Sequence, residues 1–190
     1  MQCVVMDAMG VLFAAADDVA ELLIPFVAEA GSDATRQEIE TLYREASLGN
    51  ISADEFWIGV GLDASVEAGY LARHRLMPGA LEFVRQARQA GMAVWCLSND
   101  IERWSEQLRM RLGIEPFLDG AVISSAVRAR KPQRKIYQCL LERALFDPAD
   151  MVLIDDRIKN VEAAADMGIR AMQFSGGGFA EISQRVLGWR

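Results

Sequence analysis

"VVMDAMGVLF", residues 4–13, decides the fold. Val4, Val5 and Met6 form an apolar run with strand composition, the run stops on Asp7, and a turn with Gly10 follows at once. A carboxylate at the end of an apolar strand is a candidate functional group. Met9, two residues on, places a thioether beside it.

Working outward, four more β-type runs recur: "AVWCLS" (93–98), "GAVIS" (120–124), "MVLID" (151–155) and "RAMQF" (170–174). Segments long enough for a helix separate them. "PGALEFVRQARQAG" opens at Pro78 and closes before Gly91, the expected placement of the two breakers. "PQRKIYQCLLERALF" reads the same way, as does "RIKNVEAAADMG", which stops at Gly168. Alternation of this kind predicts an α/β fold with a Rossmann-like parallel sheet, helices on both faces and right-handed crossovers. The interval 15–76 departs from it, with several helices and no convincing strand. Thr35 with Glu38, and Ser52 with Glu55, have capping-box spacing and mark two helix starts. "DDVAELLIPFVAEAG" carries Pro25, which predicts a kink or a late start, and a further helix covers roughly 63–74. The expected organisation is a core of residues 1–14 and 77–190, with residues 15–76 inserted as a helical lid over the strand ends. "SGGG" at 175–178 reads as a flexible loop.

A chain of 190 residues is one domain with room for a smaller appended module. Its 52% hydrophobic and 25% charged content reads as soluble and globular. No apolar stretch approaches the ~20 residues of a bilayer span, and the N-terminus lacks signal-peptide order. A cytoplasmic protein with no membrane partner is expected. Cys3, Cys96 and Cys139 lie scattered in apolar segments without metal-site spacing and read as reduced thiols. A net charge of −7 argues against nucleic acid and leaves room for a small anion in a local pocket. Lysine is scarce, present at positions 131, 135 and 159, so each is worth weighing.

Ligands of open α/β sheets gather outside the carboxyl ends of the strands. There stand Asp7, then Ser98 with Asn99 and Asp100, then Lys131 just before Pro132, then Asp155 and Asp156. Carboxylates around an oxygen-rich hole suit Mg²⁺. Lysine and a serine hydroxyl can hold phosphoryl oxygens and offset transition-state charge. A carboxylate can attack phosphorus to give an acyl-phosphate, which makes Asp7 the candidate nucleophile. Taken singly, each group has a blander explanation: Ser98 and Asn99 can cap a helix, and the acidic pair can sit at a helix start. Their joint order on four strand ends favours the chemical reading. Arg44 stands open between a solvent-facing and a substrate-facing cation. Tyr43, Phe56, Trp57 and Tyr70 are expected to pack between lid helices. Asp17, Asp18 and Asp100 read as helix-start or solvated charges, and His74 is assigned no chemistry.

These residues resemble the haloacid dehalogenase-like (HAD) hydrolases. "VVMDAMGVLF" is similar to the family's first motif, with nucleophile Asp7; "CLSND" to the second, with Ser98; "RKPQRKIYQ" to the third, with Lys131; "LIDDRIKN" to the fourth, with Asp155 and Asp156. The insertion at 15–76 sits where this family places its C1 cap. "LGNIS" with "EFW", "LSN" and "IDDR" look closest to the small sugar-phosphatase-like branch. The resemblance implies Mg²⁺ held by Asp7, the backbone carbonyl of Met9 and the acidic pair, with Asp156 the direct ligand and Asp155 acting through water. It puts Ser98, Asn99, Lys131 and Arg44 around the substrate and makes Asn160 a brace for the metal loop.

Two positions depart from the family pattern. Most of its phosphatases carry a second Asp where Met9 stands, and loss of a positioned acid/base costs on the order of 10²–10⁴ in rate. Arg128 occupies a position that commonly holds Gly. Three readings follow: a Mg²⁺-dependent phosphatase of a small phosphorylated metabolite, a 2-haloacid dehalogenase, whose halide leaves without a proton, or a catalytically impaired relative with a binding or regulatory role. A phosphonatase is excluded because residues 15–76 contain no lysine for a Schiff base.

Overall fold

The computed structural model describes residues 2–188. Five strands, β1 (Cys3–Met6), β2 (Ala93–Ser98), β3 (Gly120–Ile123), β4 (Met151–Asp155) and β5 (Arg170–Gln173), form one parallel sheet in the order β3-β2-β1-β4-β5. β1 is central: Val4 is level with Val94 and Val152, and Met6 with Cys96 and Ile154. All four β1 residues are therefore buried, the reason its sequence is continuously apolar and does not alternate. The chain winds from β1 through β2 to β3, then returns to the other side at β4. The carboxyl ends of β1 and β4 thus flank the topological switch point, where such sheets bind ligands.

The helices α1 (Ile24–Glu29), α2 (Arg36–Ser47), α3 (Ala53–Gly59), α4 (Glu67–Leu71) and α5 (Ala80–Gln89) lie between β1 and β2. α6 (Glu102–Arg111) follows β2, α7 (Ser124–Val127) and α8 (Arg134–Ala144) follow β3, α9 (Ile158–Ala165) follows β4 and α10 (Ala180–Leu187) follows β5. Alternate strand residues feed two cores, as a period of two requires. Val4, Met6, Val94 and Ile154 pack with Phe83 of α5, Leu108 of α6 and Val186 of α10. Cys3, Val5, Leu97 and Leu153 pack on the other face with Ile136 and Leu140 of α8 and Ala164 of α9. Cys3 and Cys96 are buried free thiols and Cys139 is half-buried.

Both capping boxes form, with Thr35 on the Glu38 N–H and Ser52 on the Glu55 N–H, and each glutamate returning to its partner's backbone. Pro25 lies inside one continuous helical run: a π-type turn over Val19–Leu23, with the Ile24 N–H on the Val19 carbonyl, passes directly into α1, and this wider turn is the local irregularity next to the proline. The helical stretch leaves and rejoins the sheet through one paired crossing. Ala14 N–H donates to the Arg75 carbonyl at 3.0 Å and Met77 N–H to the Leu12 carbonyl at 2.9 Å.

Helices α1–α4 do not pack only among themselves, which corrects the expectation for their aromatics. Trp104 of α6 lies 5.3 Å from the rings of Phe56 and Trp57, 5.0 Å from Tyr70 and 6.2 Å from Tyr43. Pairs of this kind add about 0.5–1.5 kcal/mol each beyond area burial. Beside them Glu67 accepts from the indole N–H groups of Trp57 (3.0 Å) and Trp104 (2.6 Å), from Arg103 (2.6 Å) and from Gln107 (3.2 Å). The end of α2 is equally close to the sheet side, because a Cβ on Gly49 would stand 2.3 Å from the Ser125 carbonyl oxygen. Among the described residues no helix is long and apolar enough to cross a membrane.

Candidate active site

The last hydrogen bond between the two central strands, Asp7 N–H to the Ile154 carbonyl at 2.9 Å, brings Asp7 and Asp155 out side by side. Asp7 Oδ1 accepts from the Ala8 N–H at 2.6 Å and from Lys131 Nζ at 2.7 Å. The same ammonium lies 2.7 Å from Asp155 Oδ2. Lys131 is held there by Asn99, whose Oδ1 accepts from the Lys131 N–H at 2.7 Å and whose Nδ2 donates to the Lys131 carbonyl at 3.0 Å. Both ends of the Asn99 side chain are thus committed to the Lys131 backbone, a positioning arrangement. Asp155 is also committed, accepting from the Arg157 N–H at 2.9 Å and from Asn160 Nδ2 at 2.9 and 3.1 Å. Asn160 is anchored in turn by the Tyr137 hydroxyl on its carbonyl, at 3.0 Å.

Asp156 is different. Its Oδ1 is buried without a partner. Its Oδ2 lies 2.7 Å from where a Cβ on Gly10 would be, and Gly10 has φ +77°, so the turn after Asp7 tolerates glycine alone on both counts. Oxygens of Asp7, Asp155 and Asp156 lie within 4.8 Å of one another. Lys131 pairs with two of the three carboxylates and, among the described residues, leaves Asp156 without a paired cation, and the imbalance shows in their proton affinities. Burial, and then the neighbouring carboxylates, push Asp7 up against the pull of Lys131. Burial and Asp155 push Asp156 up. Burial also acts to raise Asp155, but Lys131, the Arg157 N–H and Asn160 outweigh it and hold that carboxyl below its ordinary value. A hard-oxygen set with excess negative charge and an orphaned oxygen fits a divalent cation such as Mg²⁺. Asp7 and Asp156 carry the less committed oxygens.

Ser98 Oγ is likewise buried without a partner and borders the same cavity of about 270 Å³. Asp7, Ser98, Asn99 and Lys131 line its floor, together with Asn160; Met9 and Arg44 also line it. Arg44 is exposed at its rim. Tyr43 is both a packing residue and a wall, and its hydroxyl donates to the Asn99 carbonyl at 3.3 Å. Among further wall residues, Glu40, Arg130 and Arg157 escaped the sequence reading, and Asp18 entered it only as a helix-start or solvated charge. Asp17 is the exposed helix-start charge expected, accepting from the Ala20 N–H at 3.1 Å. Asp18 and Asp100 are not solvated: they are 6% and 1% exposed. Asp100 does serve the helix start through the Ile101 N–H at 2.7 Å, but its Oδ2 has no partner. The loop to Lys131 turns through Arg128 at φ 51°, ψ 45°, the left-handed conformation that favours glycine.

A family model for haloacid dehalogenase-like hydrolases matches residues 1–168. The chain belongs to that family. Among curated relatives, a glyceraldehyde 3-phosphate phosphatase of Pyrococcus furiosus is 26% identical over 127 residues, 62% of this chain and 52% of its own length. A phosphorylated carbohydrates phosphatase of Thermotoga maritima is 32% identical over 90 residues, 47% of this chain and 40% of its own. The chain thus spans about half the length of these relatives or less. A HAD family enzyme of Bacteroides thetaiotaomicron, solved with magnesium and inorganic phosphate, superposes with TM-score 0.82 at 18% identity, over 96% of this chain and 98% of that one. An L-2-haloacid dehalogenase of Xanthobacter autotrophicus, solved with chloropropionic acid covalently bound, gives 0.66 at 18% identity, over 99% and 83%. At these identities the two structures speak for the HAD fold alone.

Proposed function

We propose that this protein is a Mg²⁺-dependent phosphatase of a small phosphorylated metabolite of the sugar-phosphate type, acting through an aspartyl-phosphate on Asp7, with residues 15–76 as its cap. The observation that carries this is the gathering of Asp7, Asp155 and Asp156 within 4.8 Å of one another, Lys131 bridging the first two, with one Asp156 oxygen and the Ser98 hydroxyl left unpartnered in buried positions. The names of the Pyrococcus and Thermotoga relatives point to phosphorylated carbohydrates. A cavity of about 270 Å³ suits a small ester.

In the reaction, an Asp7 oxygen attacks phosphorus while Ser98 Oγ and Lys131 Nζ hold the phosphoryl oxygens. Asn99 keeps Lys131 in place through its backbone. Asp7, Asp156 and the Met9 carbonyl, with Asp155 behind them, would hold Mg²⁺, which would supply charge neutralisation. Water then releases phosphate from Asp7.

A 2-haloacid dehalogenase is the second reading, favoured by Met9 and Arg44 on the cavity wall. It leaves the acidic pair without a task. An impaired relative with a binding role rests on Met9 alone. The test is a panel of sugar phosphates, p-nitrophenyl phosphate and 2-chloropropionate, with and without Mg²⁺, on wild type and Asp7→Asn. Phosphate release needing both Mg²⁺ and Asp7 supports the phosphatase; metal-independent chloride release supports the dehalogenase; ligand binding without turnover supports the third reading.

A further inference from the structure

The phosphatase reading leaves one requirement unmet: a proton for the departing alcohol. Met9 has none to give. In-line attack by Asp7 from the floor of the cavity expels the alcohol away from Asp7, toward the helical lid. A donor must therefore stand on the lid wall of the same cavity. Three lid carboxylates line it: Asp17, Asp18 and Glu40. Asp17 is exposed and occupied with the Ala20 N–H, and Glu40 is exposed and paired with Arg36 at 2.8 Å.

Asp18 is buried and, among the described residues, has no cation paired with it. A long bond from the Tyr70 hydroxyl, 3.4 Å, reaches its Oδ2. Its segment is tied to the floor, because Arg157, next after the acidic pair, donates to the Ala16 carbonyl at 3.4 Å. Resting on the phosphatase reading, we propose that Asp18 is the general acid and base of this enzyme, supplying from the lid the proton that Met9 cannot.

The step balances. As the Asp7–phosphorus bond forms and the phosphorus–oxygen ester bond breaks, the electron pair goes to the alcohol oxygen, which takes the proton of the Asp18 carboxylic acid. The alcohol leaves and Asp18 is a carboxylate. It then removes a proton from the water that attacks phosphorus, phosphate departs, Asp7 is regenerated and Asp18 is protonated again. The surroundings suit both halves of the cycle. Burial and adjacent Asp17 raise the Asp18 carboxyl to about 6, near a working pH. Tyr70 of α4, Tyr43 of α2, Asp100 after β2 and Arg130 beside Lys131 are the other titratable or charged groups that interact with it.

The test compares two esters on wild type and Asp18→Asn, both with Mg²⁺. An alkyl phosphate such as glyceraldehyde 3-phosphate needs a proton on its leaving oxygen, whereas p-nitrophenolate leaves as a stable anion. Asp18→Asn is expected to lose roughly 100-fold or more in kcat/KM on the alkyl ester and to stay within roughly fivefold on the aryl ester. With the aryl ester it shows a burst of about one equivalent of p-nitrophenolate followed by slow turnover, because the second step has lost its base. Wild-type kcat/KM on the alkyl ester falls above about pH 6, and the variant lacks that limb. Equal loss on both esters without a burst, or full activity on both, overturns the role of Asp18 while wild-type turnover keeps the phosphatase reading intact. A wild type that releases phosphate from neither ester overturns both.

Discussion

Glu67 and the Asp7 cluster are both buried carboxylate centres, and they are built in opposite ways. Glu67 receives four donors, two of them indoles, and fastens α3 and α4 to α6. The Asp7 cluster gathers three carboxylates of which one ammonium pairs with two, an orphaned Asp156 oxygen and an unpartnered Ser98 hydroxyl beside it. A buried polar group that is fully satisfied holds the fold together, and one left unsatisfied carries a desolvation cost that a bound group would offset. Asp18 stands between the two: buried, without a paired cation among the described residues, and held by backbone N–H groups of its own turn and a long bond from a phenol.

The comparison can be broken in order of effect. Asp7→Asn is expected to cut phosphate release by at least about 10⁴-fold with little change in melting temperature, measured in the same preparation. Glu67→Ala does the reverse: it strands two indole N–H groups, while Arg103 keeps Asp54, costing about 2–4 kcal/mol in denaturant unfolding. Asp18→Asn should raise stability by up to about 3 kcal/mol at pH 7–8, because a carboxyl held at about 6 and not 3.8 is buried at a cost when ionised. The sign follows from proton binding. The folded state holds this proton more tightly, so the penalty is full above pH 6 and gone below 3.8, and the gain in the variant vanishes in acid.

Mg²⁺ sharpens the comparison further. Added at about 100 times its dissociation constant, it should stabilise wild type by about 2.7 kcal/mol in thermal unfolding and have no effect on Asp156→Asn. The smallest change is Arg128→Gly. Relief of the left-handed backbone at an exposed site should add about 1 kcal/mol of stability and leave turnover unchanged.

The strands were legible almost to the residue, because a central parallel strand is apolar on both faces and its run in the sequence is its extent in the sheet. Capping boxes at Thr35 and Ser52 were legible for a local reason, since donor and acceptor lie three residues apart. Strand-end position made Asp7, Ser98, Lys131 and Asp155 readable as one rim. Asp18 and Asp100 were not, because their burial is made by groups remote in sequence: Tyr70, 52 residues away, donates to Asp18. A charge next to a helix start carries the same local signature whether water or protein surrounds it. Trp104 gave no sign that it would gather Tyr43, Phe56, Trp57 and Tyr70, since periodicity identifies an apolar face and not its partner. Arg128 could be flagged as an unusual residue for its place, but its left-handed backbone was visible only in the fold.

The central claim is that Asp7 carries a phosphoryl group during turnover, and it can be tested by trapping. Enzyme turning over p-nitrophenyl phosphate with Mg²⁺ is acid-quenched, reduced with borohydride and digested, and the peptide containing residue 7 is examined by mass spectrometry. The account predicts homoserine at position 7, formed only when Mg²⁺ and the phosphate ester are both present. Reduction at another residue, or at Asp7 only after 2-chloropropionate without metal, would contradict it.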